Sequence, residues 1–123
     1  MVNEIKNLQD FTQAVNDKVG LVVIDFYGDW CPPCKMIAPK FAKLAEKYPT
    51  VGFYKLNSDT PDVGKIVAAC EVSALPTFCF FVNGKYITRV VGANDVQLEN
   101  AIIEIIKNNN NENNVNIHDN QTI

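Results

Sequence analysis

No apolar stretch in this sequence approaches the roughly 20 residues that a helix needs to cross a bilayer. The longest, around Leu21–Ile24 and Phe78–Val82, have the length of strands. Residues Met1–Phe11 mix Asn, Glu, Lys and Gln with isolated apolar residues and lack the continuous apolar core of a secretory signal, so a soluble chain in the cytoplasm is expected. An excess of positive charge is missing too. Fourteen acidic side chains against 11 basic ones leave a formal charge of −3, which offers a nucleic-acid backbone no electrostatic hold. Histidine is nearly absent, the single copy being His118, and there are only 4 cysteines. A zinc site needs a second cysteine pair or histidines at ligand spacing, whereas only Cys31 and Cys34 form a local pair and Cys70 and Cys79 stand apart, so no metal is expected. Haem attachment needs a histidine after the second cysteine, and Lys35 stands there. In a compartment that keeps thiols reduced, four cysteines make a poor structural framework, and attention turns to chemistry at one pair.

What is present suits one compact domain: 123 residues, 47% of them apolar. Val2–Ile5 reads as a weak strand, and Leu8, Phe11 and Val15 recur at helical spacing within Asn7–Asn16. Leu21–Tyr27 is dense in β-branched and aromatic residues without alternation, which predicts a central strand covered on both faces. A turn at Gly28-Asp29 leads into a helix that begins near Cys31 and ends by Pro49, with Ile37, Phe41, Leu44 and Tyr48 on one stripe and Pro39 as an internal kink. Val51–Leu56 is a further strand. Thr60-Pro61 reads as a cap and first position of a helix carrying Val63, Ile66 and Val67. Leu75–Val82 and Lys85–Val91 form a hairpin through Asn83-Gly84, a pair suited to positive backbone angles. Asn94 caps a last helix bearing Leu98, Ile102, Ile105 and Ile106. The fold class is therefore α/β, a mixed central sheet of about five strands flanked by about four helices. From Asn108 the composition turns to asparagine with few apolar residues, so residues 1–107 are expected to form the domain and 108–123 a disordered tail.

Cys31 and Cys34 fall on one face of a first helical turn, close enough for their sulfurs to bond. With Cys31 as N-cap, its sulfur sits at the positive end of the helix, where a thiolate is favoured, so it is the expected nucleophile. Pro32 and Pro33 follow without amide protons, which leaves the Cys34 amide as the donor to that sulfur. Cys34, one turn inward, suits the thiol that resolves a mixed disulfide, and it must first lose a proton. Asp25 is the one ionisable group in the apolar strand leading to this turn. Burial would raise its pKa and make it a general base or acid for Cys34.

The blocks Val23-Ile24-Asp25-Phe26-Tyr27-Gly28-Asp29-Trp30-Cys31-Pro32-Pro33-Cys34-Lys35, Lys55-Leu56-Asn57, Leu75-Pro76-Thr77-Phe78 and Val91-Gly92-Ala93 resemble the thioredoxin family in order and spacing. The resemblance implies the thioredoxin fold and a redox-active Cys31–Cys34 disulfide faced by a cis Pro76. It also implies Lys55 near Asp25, and a flat substrate-receiving surface made by Trp30, Leu75, Pro76, Gly92 and Ala93. The implied activity is reduction of protein disulfides by a monomer with no bound cofactor, NADPH and FAD acting only through a thioredoxin reductase. Peroxiredoxins or ribonucleotide reductase are typical of the clients implied. Members usually carry glycine where this chain has Pro32, and Cys-Pro-Pro-Cys is similar to tryparedoxins, which keeps open a dedicated electron donor to a peroxidase or other single client. A binding or scaffold subunit that uses the same face without turnover is the alternative of another class. No histidine stands beside the second cysteine as in disulfide isomerases, which favours reduction over oxidation. Cys79, between Phe78 and Phe80, reads as a small core residue. Cys70 reads the same way, with glutathionylation or cross-linking of two chains open to it if exposed.

Overall fold

The computed structural model describes the backbone of residues 1–16 and 20–122, and within that range the side chains as far as Asn109. In chain order the elements are β1 (Val2–Glu4), α1 (Leu8–Asn16), β2 (Leu21–Tyr27), α2 (Pro32–Lys47) and β3 (Gly52–Asn57). A 3₁₀ turn (Pro61–Val63) then leads to α3 (Gly64–Ala69), β4 (Thr77–Val82), β5 (Lys85–Val91) and α4 (Asp95–Thr122). The sheet order is β1-β3-β2-β4-β5. β2 runs parallel to β3 and antiparallel to β4, so the sheet is mixed and β2 is its central strand, as its density of β-branched and aromatic residues without alternation predicted.

Alternation along the strands sorts side chains into two cores. Leu21 and Val23 of β2, Phe53 of β3 and Phe78 and Phe80 of β4 join Ile37, Phe41 and Leu44 of α2 and Leu98 and Ile102 of α4. Val22, Ile24 and Phe26 of β2, Leu56 of β3 and Cys79 and Phe81 of β4 face the other way, toward Ala14 and Val15 of α1 and Ile66 and Cys70. Phe41 is central to the first core, with ring centroids 5.2 Å from Phe53 and 5.5 Å from Phe78. Ion pairs join α2 to α4 at their exposed faces, Lys40–Asp95 at 3.7 Å and Lys47–Glu99 at 2.6 Å.

Several local expectations are adjusted. Leu8 shares the helical stripe by spacing but lies in the first turn of α1 and stays 56% exposed. β4 begins at Thr77 rather than Leu75, since Pro76 has no amide to give the ladder; its carbonyl instead accepts from the Gly92 amide at 2.8 Å. The Thr60 side chain makes no capping bond, and a 3₁₀ turn precedes the helix. Asn94 does cap α4, accepting from the Gln97 amide at 3.0 Å. The hairpin turn has Asn83 at φ 52° and Gly84 at φ 82°, the left-handed angles that Asn-Gly supplies at little steric cost. The helical backbone of α4 continues to Thr122, past the boundary expected at 107. Its apolar packing onto the first core comes from Leu98, Ala101, Ile102, Ile105 and Ile106. Of the tail expected at 108–123, the side chains from 110 onward, His118 included, and all of Ile123 lie outside the described residues. No helix among the described residues is long and apolar enough to cross a membrane.

Truncating Phe41 to alanine removes the ring that joins α2 to β3 and β4, and should lower the unfolding free energy by about 3–5 kcal/mol. Urea denaturation of Phe41→Ala checks this; a loss below about 1 kcal/mol would show that the helix is held elsewhere.

Candidate active site at the start of the second helix

β2 delivers the chain to the site. After Tyr27 the backbone turns through Gly28, where a Cβ would lie 3.1 Å from Leu75 Cδ1 and 3.4 Å from Asp59 Oδ2, so a side chain there would require the Leu75 tip to give by a few tenths of an ångström. The turn is braced from the end of β3. Asp29 N donates to Asp59 Oδ2 (3.2 Å), Asn57 Nδ2 to Asp29 Oδ1 (2.9 Å), Asp59 N to Asn57 Oδ1 (3.0 Å) and Ser58 N to the Tyr27 carbonyl (2.8 Å). This bracing makes Asp29 and Asp59 part of the site's support. Sequence reading missed both, because polar residues after a strand carry no signal of their own beyond a turn.

Cys31 is the N-cap of α2, in extended conformation at φ −119° and ψ 96°, with Pro32 and Pro33 in the first two helical positions. Its Sγ accepts from the Cys34 amide at 3.2 Å, as expected from the lack of amide protons on both prolines. Cys31 and Cys34 are joined in a disulfide with Cα atoms 5.2 Å apart. Their environments differ: Cys34 is 3% exposed, whereas Cys31 is half-buried beside Trp30, which is 93% exposed and has the Lys35 ammonium 5.8 Å from its ring centre.

Asp25 belongs to the odd-numbered set of β2 with Leu21 and Val23, so its carboxyl turns toward α2. Lys55 is its direct partner across β3, on the same face as Phe53. Asp25, Cys34, Ala38 and Lys55 line one cleft of about 180 Å³, room for several waters at about 30 Å³ each. Asp25 is 4% exposed, and its Oδ1 is buried without a hydrogen-bond partner among the described residues. Burial pushes its carboxyl up to about 7, with the Lys55 ammonium pulling the other way. Tyr27 lines the same cleft; its hydroxyl donates to Glu4 Oε2 at 2.7 Å and its ring centre lies 6.0 Å from Lys55 Nζ. This Glu4–Tyr27–Lys55 chain was also missed, since it joins three strands that the sequence does not order.

The other residues predicted to bind a client lie on two further segments, of which Leu75 comes up against the Gly28 turn. The Leu75–Pro76 bond is cis, and Pro76 and Gly92 are joined through the backbone bond already described. Ala93 packs at the edge of the first core. The fold thus holds a disulfide at a helix N-terminus, a buried acid sharing a cleft with its second cysteine, and a cis proline just before β4. The Thioredoxin family model matches residues 2–116.

The chain belongs to the thioredoxin family. It is 56% identical over 104 residues to thioredoxin-like protein R548 of Acanthamoeba polyphaga mimivirus, covering 84% of this chain and 76% of that one. It is 48% identical over 103 residues to thioredoxin-1 of Saccharomyces cerevisiae, covering 83% and 96%. The crystal structure of the oxidised mitochondrial thioredoxin 3 of Saccharomyces cerevisiae superposes with a TM-score of 0.78 at 38% identity, over 84% of this chain and 94% of that one. Membership in the family, together with the Cys31–Cys34 disulfide, makes the chain a protein-disulfide oxidoreductase. It also gives as partner classes a reductase and disulfide-bearing client proteins.

Two outcomes follow from the thioredoxin site. Asp25 has a folded-state pKa of about 7 against an ordinary 3.8, so it favours the folded state below pH 4 and loses that advantage as pH rises through 7. Relative to Asp25→Asn, the parent should lose about 4 kcal/mol of stability between those limits and then level off. Denaturation at a series of pH values tests this, and a parallel pair of curves would contradict it. Replacing Pro32 by glycine restores an amide donor near Cys31 Sγ, so Pro32→Gly should lower the Cys31 pKa in the reduced protein. An unchanged or raised value in a thiolate titration would count against the hydrogen-bond argument.

Proposed function

We propose that this thioredoxin is a general reductant of disulfides in client proteins and draws its electrons from a flavin-containing, NADPH-dependent thioredoxin reductase. The observation that carries the reading is the unequal burial of a bonded cysteine pair at the α2 N-terminus, one sulfur reachable and the other enclosed beside Asp25. In the reduced protein the Cys31 thiolate attacks a client disulfide; a mixed disulfide forms and one client thiolate leaves. Cys34 gives its proton to Asp25, directly or through water in the shared cleft. Its sulfur then attacks Cys31 Sγ, releasing the second client thiolate and closing the Cys31–Cys34 disulfide. Two electrons pass to the client. The reductase returns two electrons and two protons to the pair.

An acid whose pKa lies at about 7 suits this traffic, because it can take and return a proton near neutrality at little cost in either direction. Lys55 tunes that affinity. Trp30, Leu75, Pro76, Gly92 and Ala93 form the surface on which the client lies, Pro32 and Pro33 shape its edge, and the protein acts as a cytoplasmic monomer with no bound cofactor. Pro32 itself favours a second reading, a dedicated donor to a peroxidase or another single client, since it replaces the glycine usual in general reductants.

Reduction of a disulfide-bonded test protein, driven by NADPH and a thioredoxin reductase, should proceed with the parent and fall to background with Cys31→Ser. Asp25→Asn should slow it several-fold, most at neutral pH. Cys34→Ser should trap a broad set of mixed-disulfide partners. One dominant trapped partner would establish the dedicated donor instead, and full biological activity of Cys31→Ser would show a role without turnover.

A further inference from the structure

Cys70 and Cys79 are both free and buried, 5% and 0% exposed, on the face of the sheet opposite the Cys31–Cys34 disulfide. They come from distant elements, yet they share one buried cluster, and Arg89, which pairs with Cys79 across the strands, bonds the Cys70 carbonyl. Around the pair stand polar groups that a purely apolar core does not need. Tyr86 Oη lies 3.4 Å from Cys79 Sγ. Arg89 is the cross-strand partner of Cys79, and its guanidinium donates to the Cys70 carbonyl at 2.5 Å and the Glu71 carbonyl at 2.8 Å while lying 5.4 Å from the Tyr86 ring centre.

Tyr86 and Arg89 are three positions apart, a spacing that sends side chains to opposite faces of a regular strand. A register shift between Phe80 and Phe81 changes this: Phe80 pairs with Thr88 but Phe81 pairs with Tyr86, leaving Ile87 as the extra residue. The bulge therefore turns phenol and guanidinium to the same face, toward the sulfurs. The neighbouring Cys70 thiol lowers the Cys79 pKa most, with Tyr86 and Arg89 adding to it and burial opposing. Two free thiols in one buried cluster, a cation and a phenol beside them, and a bulge that collects them are the parts of a redox site.

We propose that Cys70 and Cys79 are a second dithiol–disulfide centre, oxidised by hydroperoxides. One sulfur attacks the O–O bond of the peroxide, becoming a sulfenic acid as water or an alcohol leaves; the other displaces the sulfenic oxygen as water. The two thiols lose two electrons and two protons, the peroxide takes them up, and the new S–S bond closes the loop Glu71–Phe78. The exposed turn at Glu71, Ser73 and Ala74, with Glu71 at φ 54°, is where the structure opens to admit oxidant, so the reaction is slower than at the more accessible Cys31.

The test uses the full chain in two forms, the Cys31→Ser/Cys34→Ser variant and reduced parent alkylated at Cys31 under native conditions. Treated with hydrogen peroxide, each should lose two hydrogens by intact mass, yield a peptide joining Cys70 to Cys79, and regain both hydrogens with dithiothreitol. Addition of oxygen without cross-linking, disulfide-linked dimers through Cys70, or unmodified sulfurs under conditions that fully oxidise Cys31–Cys34 in untreated parent would each overturn the proposal.

Discussion

The packing of α2 on the odd-numbered face of the sheet is the constraint from which the thioredoxin site follows. Ile37, Phe41 and Leu44 seat the helix over Val23, Phe53 and Phe78. That contact sets where the first turn of α2 lies, and so where the positive end of its dipole and the Cys34 amide meet the Cys31 sulfur. The same alternation that brings Val23 to α2 brings Asp25 to it two residues later, at the helix end where Cys34 is enclosed. Cys31, Cys34 and Asp25 are thus placed by one helix–strand interface, and the loop bonds of Asp29, Asn57 and Asp59 hold the intervening turn.

Asp25 also shows which of two electrostatic effects prevails. Lys55 is its register partner, and a cation so placed ordinarily lowers a carboxyl's pKa. The net shift is nonetheless upward because Asp25 is buried among apolar strands whereas Lys55 is exposed, its charge shared with water and with the Tyr27 ring. An apolar residue at position 25 would complete the run of β2 at a gain in stability. The acid persists where the core would reject it, which is the pattern of a site that gives up stability for chemistry.

The periodic signals were legible and the non-local ones were not. β2 declared itself by density of β-branched residues, the hairpin by Asn83-Gly84, the last helix by Asn94 and its apolar stripe, and the cysteine pair by its spacing. In each case the deciding contacts lie within a few residues of chain. Pro76 shows the limit, since its missing amide excludes it from the ladder although the surrounding residues read as strand. Further from reach were Glu4 with Tyr27, Asp29 with Asp59, and Tyr86 and Arg89 with the second cysteine pair. Those contacts depend on strand order and on a bulge that no residue of β5 announces.

The two cysteine pairs divide by the same rule of locality. Cys31 and Cys34 are three residues apart, so a bond between them removes little freedom from the unfolded chain and adds little to stability, as a bond must if it is to open and close in each cycle. Cys70 and Cys79 enter one cluster only because the end of α3 docks on β4, so their proximity exists only in the folded protein. A bond there closes a longer loop and would hold α3 to the sheet, so its formation follows the opening of local structure and its presence resists that opening. Separated by the sheet, the pairs share no side chain, and oxidation at one face leaves the chemistry of the other to its own neighbours.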